Sequence, residues 1–335
     1  MNRLTFVSRR FALAACAAAT LAATPAAFAQ QKLQIAGNFA TEHPSSVAVD
    51  QVFKKEVARL TNNQLQVDVF PAMQLGGAKE NIDAVRSGTL ALTWVGGAFL
   101  SRIVPELEAV SLPFVFRDRA TAFRVIDGPV GQAIDQKLQA KGFVSLGWME
   151  LGSRNITNSR GPIRTMADLK GLKLRLQPNE THLASFRALG ANPVAMDVKE
   201  LYSALEQRVV DAQENPYTVI SASRYSEVQK HLSNSGHFFD FIAVVASKKA
   251  FEQLKPEYQK AVREAMSATI AHQRKLAIES EAKALAELKG KMTLTEISPA
   301  AIDEMRKATA PVIEEVKKRA GAELVNQVLA EAAKH

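Results

Sequence analysis

The sequence contains one cysteine, Cys16, among 335 residues. This cysteine lies in an N-terminal segment that has the three parts of a secretory signal peptide: a basic start, an apolar run too short to span a membrane, and the small-residue triplet Ala27-Phe28-Ala29. Cleavage after Ala29 leaves a mature chain without cysteine, which excludes disulfides, thiol catalysis and cysteine metal sites. We therefore interpret residues 1–29 as a signal peptide and predict export to the periplasm.

Long apolar runs are also missing from the rest of the chain. No segment after the leader reaches the ~18 apolar residues that a spanning helix requires, so the mature protein is not expected to cross a membrane.

Two features leave the processing of the leader open. Leu13-Ala14-Ala15-Cys16 resembles a lipoprotein cleavage box, although only five apolar residues separate Cys16 from Arg10, fewer than the ~7 of a usual apolar core. Ser8-Arg9-Arg10-Phe11 resembles a twin-arginine export signal. A soluble product of ordinary secretion is the simplest interpretation.

The mature chain has little excess charge of either sign. The full sequence carries +8, with 42 Lys and Arg residues against 34 Asp and Glu residues. Three of these arginines belong to the leader, which has no acidic residue, so the mature chain carries +5. Basic and acidic residues are interleaved throughout, and no basic run is spaced by aromatic residues. The sequence therefore indicates no nucleic-acid partner.

Recognisable catalytic and cofactor motifs are absent as well. The chain has no His-Glu-x-x-His, no Gly-x-Ser-x-Gly, no phosphate-binding loop and no Gly-x-Gly-x-x-Gly between a strand and a helix. Its six histidines are scattered, so their spacing predicts no metal site. An exported chain without these motifs favours a binding protein over an enzyme, and we predict neither a cofactor nor a bound metal.

A repeated switch between hydrophobic periods of two and 3.6 is present along the whole mature chain. Apolar runs typical of strands, such as 33–36, 90–95 and a short one at 209–211, alternate with segments whose apolar residues fall on one helical face. This alternation predicts an α/β fold with largely parallel sheets. A second block of the same pattern begins near Arg154, and the length suits two domains of ~150 residues. One helix is predicted over 256–288, long enough at ~1.5 Å per residue to lie across both domains.

One predicted strand places an arginine where open α/β sheets bind ligands. In Leu172-Lys173-Leu174-Arg175-Leu176 the leucines share one face, so Arg175 points to the other face near the carboxyl end of the strand. The planar guanidinium pairs bidentately with carboxylates, which makes Arg175 a candidate for binding a small anion. The same pattern also allows a solvated arginine on a half-exposed strand.

Two motifs make the chain resemble a known family. Lys170-Gly171-Leu172-Lys173-Leu174-Arg175 is followed about forty residues later by Asp211-Ala212-Gln213-Glu214-Asn215-Pro216. Together with Leu112-Pro113-Phe114 and Leu189-Gly190-Ala191-Asn192-Pro193, they resemble the DctP-type solute-binding proteins of tripartite ATP-independent periplasmic (TRAP) transporters. The resemblance implies extracytoplasmic binding of a small organic acid, a carboxylate, and its delivery by ligand-induced lobe closure to membrane permease subunits.

The resemblance also implies a two-lobed periplasmic-binding-protein architecture, the Venus flytrap, with crossing hinge strands and a long helix that contacts both lobes. The first lobe is expected to comprise residues 30–152 with about 240–280, and the second 153–239 with about 281–335. A monomer is expected. The alternatives are a solute-binding protein that serves an ATP-driven transporter or a sensor kinase and, third, a periplasmic enzyme.

The same resemblance implies ligand-binding roles for several polar residues. Arg175 matches the family arginine that pairs with the substrate carboxylate, Arg154 matches a second cleft arginine, and Asn215 matches an asparagine that hydrogen-bonds the same carboxylate. Asn38, after the first strand, and Glu80 lie where members often place polar contacts. Glu80 has an alternative role as a first-turn residue favoured by the dipole of its helix.

Aromatic residues near family cleft positions suggest the body of the ligand. Sialic-acid-binding members carry an acidic residue near Gly96 and an asparagine near Pro178, and the absence of both here disfavours a polyhydroxylated sugar acid. An acid with an apolar or aromatic body would instead suit five aromatic residues: Trp94, Phe114, Tyr217, Phe238 and Phe239. Because most apolar strand residues belong to the core, we expect two or three of these to line the cleft. His43 is either a ligand contact or the cap of a helix that begins at Ser45 or Ser46.

Overall fold

The computed structural model describes residues 31–334. The predicted leader, its cleavage after Ala29 and the alternative role of Cys16 lie outside the described residues. The strands are β1 (Gln31–Gly37), β2 (Leu65–Phe70), β3 (Leu92–Gly96), β4 (Phe143–Ser153), β5 (Asn155–Asn158), β6 (Lys173–Leu176), β7 (Asn192–Ala195), β8 (Ala212–Asn215), β9 (His231–Asn234), β10 (Phe239–Ser247) and β11 (Thr293–Glu296).

The α-helices alternate with these strands until the C-terminal part of the chain, which is helical. They are α1 (Pro44–Ala48), α2 (Lys54–Leu60), α3 (Ala78–Ser87), α4 (Arg119–Ile126), α5 (Pro129–Ala140), α6 (Glu180–Ala188), α7 (Val198–Glu206), α8 (Tyr217–Ala222), α9 (Lys248–Glu252), α10 (Pro256–Lys289), α11 (Pro299–Ala320) and α12 (Ala322–Ala333). A π-helical segment, Val49–Phe53, joins α1 to α2.

The first sheet has five strands in the order β2-β1-β3-β10-β4. β1, β2 and β3 are parallel, as the alternating pattern predicts, but β10 runs antiparallel to both β3 and β4. Leu33 and Ile35 are buried on β1, as the period of two requires. The sheet is mixed rather than largely parallel because β10, which comes late in the chain, inserts between two earlier strands.

The second sheet has six strands in the order β11-β9-β5-β8-β6-β7. β6 is parallel to β7 and β8, β11 is parallel to β9, and β5 is antiparallel to β8 and β9. The strand predicted at 209–211 is wrong. The backbone N–H groups of Val209 and Val210 donate to Ala204 O (2.9 and 3.3 Å), so these residues form the turn after α7, and β8 begins at Ala212.

Two chain crossings join the sheets into a two-lobed α/β fold. β4 leads through Arg154 into β5 of the second sheet, and residues 235–238 lead from β9 back to β10 of the first. α10, which has 34 residues, packs against β4 in the first lobe and α8 in the second. The predicted architecture of two lobes, crossing strands and a long helix that contacts both is confirmed. Within residues 31–334 no helix combines the length and the apolar character that crossing a bilayer requires.

The C-terminal helices return to the first lobe, in contrast to the expected assignment of residues 281–335 to the second. Met305, in the first half of α11, belongs to the apolar cluster of the second lobe. Val312, one turn beyond the middle of α11, already packs in the cluster of the first lobe, and Val325 and Val328 of α12 do the same. α12 packs against α4 and α5. These apolar residues recur at helical spacing, so their shared face is buried against the helix layer that the first lobe offers.

Candidate functional site

A cavity lies between the lobes, at the carboxyl ends of strands from both sheets. Its walls are formed by residues that follow β1 and β3 in the first lobe and by residues at the ends of β6 and β8 in the second. Its empty space, counted to the open mouth, is about 400 Å³. The polar residues of the lining include Asn38, His43, Arg175, Gln177 and Asn215, and the apolar residues include Phe39, Phe99, Leu151, Val198 and Val219.

Arg175 lies in the wall of this cavity and has no acidic partner within the described part of the chain. The residue is 1 % exposed, and alternation along β6 directs its side chain away from the core leucines Leu174 and Leu176. Nε and Nη2 donate to Met196 O (2.9 and 2.7 Å), and no carboxylate within residues 31–334 forms an ion pair with the guanidinium. Burial lowers the pKa of Arg175, yet arginine remains charged at neutral pH. A buried, unpaired cation beside a cavity favours an anionic ligand.

Arg154 occupies a different environment from the predicted one. It lies at the crossing between β4 and β5, has no exposed surface and is not part of the cavity lining. Its Nε and Nη2 donate to the two carboxylate oxygens of Glu214, and its Nη1 donates to Asp240 Oδ2 (3.1 Å). Because these carboxylates occupy its donors, Arg154 is not available to a ligand carboxylate. It instead connects β8 of the second lobe with β10 of the first.

We call Arg154, Glu214, Asp240 and His237 the hinge cluster. His237 Nε2 lies 3.0 Å from Glu214 Oε2. Burial by itself raises the pKa of Glu214, but Arg154 and His237 outweigh this effect and hold the pKa far below its ordinary value. Burial lowers the pKa of His237, against the opposing effect of Glu214. The polar groups of the hinge cluster thus satisfy one another.

Asn215 and Asn38 present amide groups to the cavity from opposite lobes. Asn215 Oδ1 accepts from Arg154 Nη2 (3.1 Å), and its Nδ2 donates to Gln213 Oε1 (2.6 Å). Asn38 follows β1, and its Oδ1 is buried without a hydrogen-bond partner among the described residues. Asn215 is therefore oriented by the hinge cluster, whereas Asn38 keeps hydrogen-bonding capacity for another molecule.

His43 combines both of its predicted positions, since it caps a helix and also lines the cavity. Its Nδ1 accepts from the backbone N–H of Ser45 (3.2 Å) at the start of α1, which begins at Pro44, one residue before the predicted range. The ring stacks on Phe39 at 4.7 Å between centroids. Burial lowers the pKa of His43 to about 3, so the ring is neutral at physiological pH.

Glu80 lies outside the cavity lining and joins the two lobes at the surface. Its carboxylate forms an ion pair with Lys199 of α7, which lowers the pKa of Glu80. Beside this pair, Asp197 accepts two backbone hydrogen bonds, from Lys199 in its own helix (Oδ1, 3.1 Å) and from Lys79 at the start of α3 (Oδ2, 3.1 Å). Glu80 is thus a first-turn residue of α3, the alternative role given to it above. We call Asp197, Lys199, Lys79 and Glu80 the lobe latch.

The two predicted aromatic residues of the first sheet are core residues. Trp94 is fully buried on β3, and its ring lies so close to Gly37 that a Cβ atom there would approach it to 2.2 Å. Phe239 packs edge to face on Phe123, 6.0 Å away, within the apolar cluster of the first lobe. Neither residue lines the cavity.

The three predicted aromatic residues of the second lobe also lie outside the cavity lining. Phe238 stacks on His182 at 4.0 Å, and Phe114 packs against the core of the second lobe. Tyr217 borders a separate small cavity near the hinge, where its Oη donates to Asn234 Oδ1 (2.6 Å). The expectation that two or three of the five aromatic residues line the cleft is not met.

Most residues of the cavity lining escaped the sequence analysis, among them Phe39, Phe99 and Gln177. Phe39 and Phe99 provide the aromatic surface of the cavity, and each follows the carboxyl end of a strand, β1 or β3. Gln177 lies two residues after Arg175 and lines the same cavity. A signal for Gln177 was present, since residues two apart on an extended chain point to the same side. For the phenylalanines, the position after a strand end was the only such signal.

The residue types available as ligands indicate what the cavity can bind. Across residues 31–334, no three His, Cys, Asp or Glu side chains are arranged to hold a metal ion. Among these residues the cavity combines one cation without a carboxylate partner, three amide side chains and an apolar wall, an arrangement suited to a small organic anion.

Comparison with known proteins identifies relatives of similar length. The chain is 36% identical over 269 residues to the 2,3-diketo-L-gulonate-binding periplasmic protein YiaO of Escherichia coli, an alignment that covers 80% of this chain and 77% of YiaO. The sugar acid binding protein DctPAm of Advenella mimigardefordensis, solved with galactonate, has 35% identity and a TM-score of 0.88, covering 90% of this chain and 97% of that one.

A second solved structure has the same fold but a different ligand. It is a TRAP periplasmic solute binding protein of Sulfurospirillum deleyianum with bound succinate, which is 30% identical with a TM-score of 0.86, covering 90% of this chain and 99% of that one. The sequence profile of bacterial extracellular solute-binding protein family 7, DctP, matches residues 35–319. With that match over most of its length, this chain belongs to the DctP family of bacterial extracellular solute-binding proteins.

Proposed function

We propose that this protein binds a small organic acid outside the cytoplasm and delivers it to the membrane permease subunits of a TRAP transporter. The observation that carries the proposal is Arg175, a buried guanidinium at the cavity wall without a carboxylate partner among residues 31–334. An ionised buried group is costly unless it is paired. A ligand carboxylate would supply the counter-charge that the rest of the site lacks.

The hydrogen bonds of Arg175 limit how that carboxylate can bind. Met196 O occupies the edge formed by Nε and Nη2, so the carboxylate would meet the end of the guanidinium, Nη1 and the second hydrogen of Nη2. The amides of Asn215 and Asn38 border the same cavity and would bind remaining oxygen atoms. The phenylalanines Phe39 and Phe99 would cover the body of the acid.

Closure of the lobes would depend on ligand for the same electrostatic reason. The residues of the cavity come from both lobes, and opening them exposes Arg175 to water. Burying an unpaired charge costs several kcal/mol, so the closed form is favoured mainly when the anion is present. Closure brings α3 and α7 together at the lobe latch, and the permease would recognise this closed form.

Relatives support the class of ligand and the transport role. DctPAm is described with galactonate and the Sulfurospirillum protein with succinate, both of them carboxylates, and the latter is named a TRAP protein. We extend to this chain binding of an organic acid and a periplasmic location, and we further propose that it acts as a monomer and does not catalyse a reaction. Galactonate is polyhydroxylated, so family membership does not by itself exclude sugar acids.

A calorimetric screen tests the proposal. The chain without residues 1–29 is screened by thermal shift against mono- and dicarboxylates, hydroxy acids, keto acids and aromatic acids, and each hit is titrated by calorimetry. A true ligand at 100 times its Kd should stabilise the fold by about 2.7 kcal/mol. The primary amide of each hit, which lacks the charge, is the matched control and should not bind. Failure of every acid to bind would contradict the proposal.

Four further measurements test its other parts. Mass spectrometry of the bound acid before and after incubation should return the same compound, since turnover would indicate an enzyme. Cell fractionation should place the protein in the periplasm. Co-purification with TRAP permease subunits should increase when the acid is added, and light scattering should give the mass of one chain.

A further inference from the structure

We propose that Gln177 makes the site selective for an acid that carries a hydroxyl group near its carboxylate. The inference rests on the proposed function, because it assumes that Arg175 binds a carboxylate. It goes further, since the family includes proteins described with galactonate and with succinate and therefore does not decide whether a hydroxyl is required. The residues that carry it are Gln177, Asp240 and Gly96.

The hinge cluster determines which end of the Gln177 amide faces the cavity. Gln177 Nε2 donates to Asp240 Oδ2 (2.8 Å), the same oxygen that accepts from Arg154 Nη1 (3.1 Å). An ionised carboxylate has only acceptors, so the reversed amide would place oxygen against oxygen. Asp240 Oδ2 already accepts from Arg154 Nη1, so it acts as an acceptor toward Gln177 as well. The amide oxygen of Gln177 therefore points away from Asp240.

That oxygen is directed toward the cavity beside Gly96. Both Gln177 and Gly96 line the cavity, and a Cβ atom on Gly96 would lie 2.8 Å from Gln177 Oε1. No donor within residues 31–334 hydrogen-bonds Oε1, and the residue is only 3 % exposed. Closure of the lobes removes water from this oxygen, and a buried acceptor without a donor costs free energy. A ligand hydroxyl is a donor that would satisfy it.

The distance between the two groups restricts where the hydroxyl lies on the ligand. Arg175 and Gln177 are two residues apart on an extended chain, so their backbones are separated by about 6.6 Å on one side of the strand. A carboxylate on Arg175 and a hydroxyl on Gln177 then belong to the same short carbon chain. A methylene group in place of the hydroxyl would leave Oε1 unsatisfied, and a second carboxylate there would place acceptor against acceptor. Gln177 thus favours a hydroxy acid over both alternatives.

The test compares acids that differ by one hydroxyl, in the protein and in a variant. Calorimetry is done with malate against succinate, with both enantiomers of 2-hydroxybutanoate against butanoate, and with each hydroxylated hit against its deoxy analogue. The wild-type protein should bind the preferred hydroxy acid roughly 10-fold or more tightly than the deoxy acid. Gln177→Met, which keeps the length of the side chain and removes the acceptor, should reduce this ratio to about one, mainly by weakening the hydroxy acid.

A second variant keeps the inference testable if Gln177→Met does not fold. Gly96 has φ −54° and ψ 126°, which alanine also adopts, so Gly96→Ala would displace Gln177 Oε1 without straining the backbone. It should lower the ratio of affinities, whereas Gly161→Ala, at a glycine with open space around its Cβ position, should not. Equal affinities for both acids in the wild type, or equal losses for both acids in the variants, would overturn the inference while leaving the proposed function intact. If no acid binds, the proposed function fails first.

Discussion

The hinge cluster and the cavity each contain a buried arginine, but the two arginines have opposite surroundings. Arg154 is enclosed by Glu214 and Asp240, whereas among residues 31–334 Arg175 donates only to the carbonyl oxygen of Met196. Both are at most 1 % exposed. Burial therefore does not distinguish them, and the position of the carboxylates does. An arginine whose counter-charges are in the protein is already paired, so removing it leaves buried carboxylates unpaired, and an arginine without counter-charges is available to a ligand.

The largest expected effect is on the hinge side of this comparison. Arg154→Met would leave two buried carboxylates without their partner, and breaking a buried pair in this way costs about 3 to 5 kcal/mol of unfolding free energy. Urea unfolding monitored by circular dichroism measures this loss. The double variant Arg154→Met with Glu214→Gln removes one of the uncompensated charges and should recover part of the stability. An unfolding free energy unchanged in Arg154→Met would refute the structural role of this residue.

On the cavity side, the effect should appear in binding rather than in stability. Arg175→Ala removes the counter-charge of the ligand and should cost about 2 to 5 kcal/mol of binding free energy, roughly 30- to several-thousand-fold in Kd. Its unfolding free energy without ligand should change far less than in Arg154→Met. Arg187→Ala, at an exposed arginine of α6 that pairs with Glu180, is the matched control and should bind normally. Unchanged calorimetric affinity of Arg175→Ala would rule out the assignment.

A smaller effect is expected in the pH dependence of stability on the hinge side of this comparison. His182 lies 3.8 Å from Asp240 Oδ1, and burial lowers the pKa of its ring to about 4. A histidine whose folded pKa lies below its unfolded value of ~6.5 stabilises the fold above pH 6.5, and this contribution is lost as the pH falls toward 4. At pH 5 the loss is on the order of 1 to 2 kcal/mol.

His182→Leu removes this titration. The melting temperature of the variant should fall less than that of the wild type between pH 6.5 and pH 4, while the affinity for ligand at pH 7 should stay the same. Parallel melting curves over this range would show that His182 does not contribute to acid sensitivity.

The smallest effect is expected at the lobe latch, which lies at the surface and outside the hinge cluster. Asp197→Ala removes the acceptor for the first turns of both α3 and α7 and should cost about 0.5 to 1 kcal/mol. Part of that loss belongs to the closed form, so Kd should rise a few-fold without any change in ligand contacts. Asp118→Ala is the matched control, because Asp118 caps α4 within one lobe. An equal change of affinity in both variants would exclude a role of the latch in closure.

Part of the cavity was predictable from the sequence, by local patterns and by the family resemblance. The alternation of leucines on β6 places Arg175 opposite the core, and Asn38 and Asn215 each lie where a strand ends, at the edge where such sheets bind ligands. Gln177 was predictable from the same alternation. The cap role of His43 also follows from its position just before the helix.

The surroundings of the aromatic residues and of Arg154 were not predictable from local sequence patterns. Trp94, Phe238 and Phe239 lie near family cleft positions in the sequence, but each packs into a core. The core and the apolar wall of the cavity both exclude water, so both favour apolar side chains. A sequence pattern therefore does not distinguish a core residue from a cavity residue. Arg154 follows β4, at a strand end where ligand-binding residues are expected, yet its carboxylates come from residues 60 and 86 positions away in sequence.

The sequence by itself determined the alternation of strands and helices, the two-lobed family fold, the long helix and the position of Arg175 on its strand. Periodicity and capping are local, so a single sequence records them. Only the tertiary structure decided which arginine is free, which aromatic residues meet the cavity, and that α12 returns to the first lobe. These outcomes depend on pairings between residues distant in sequence, and the energy of a buried charge is set by the groups that surround it in space.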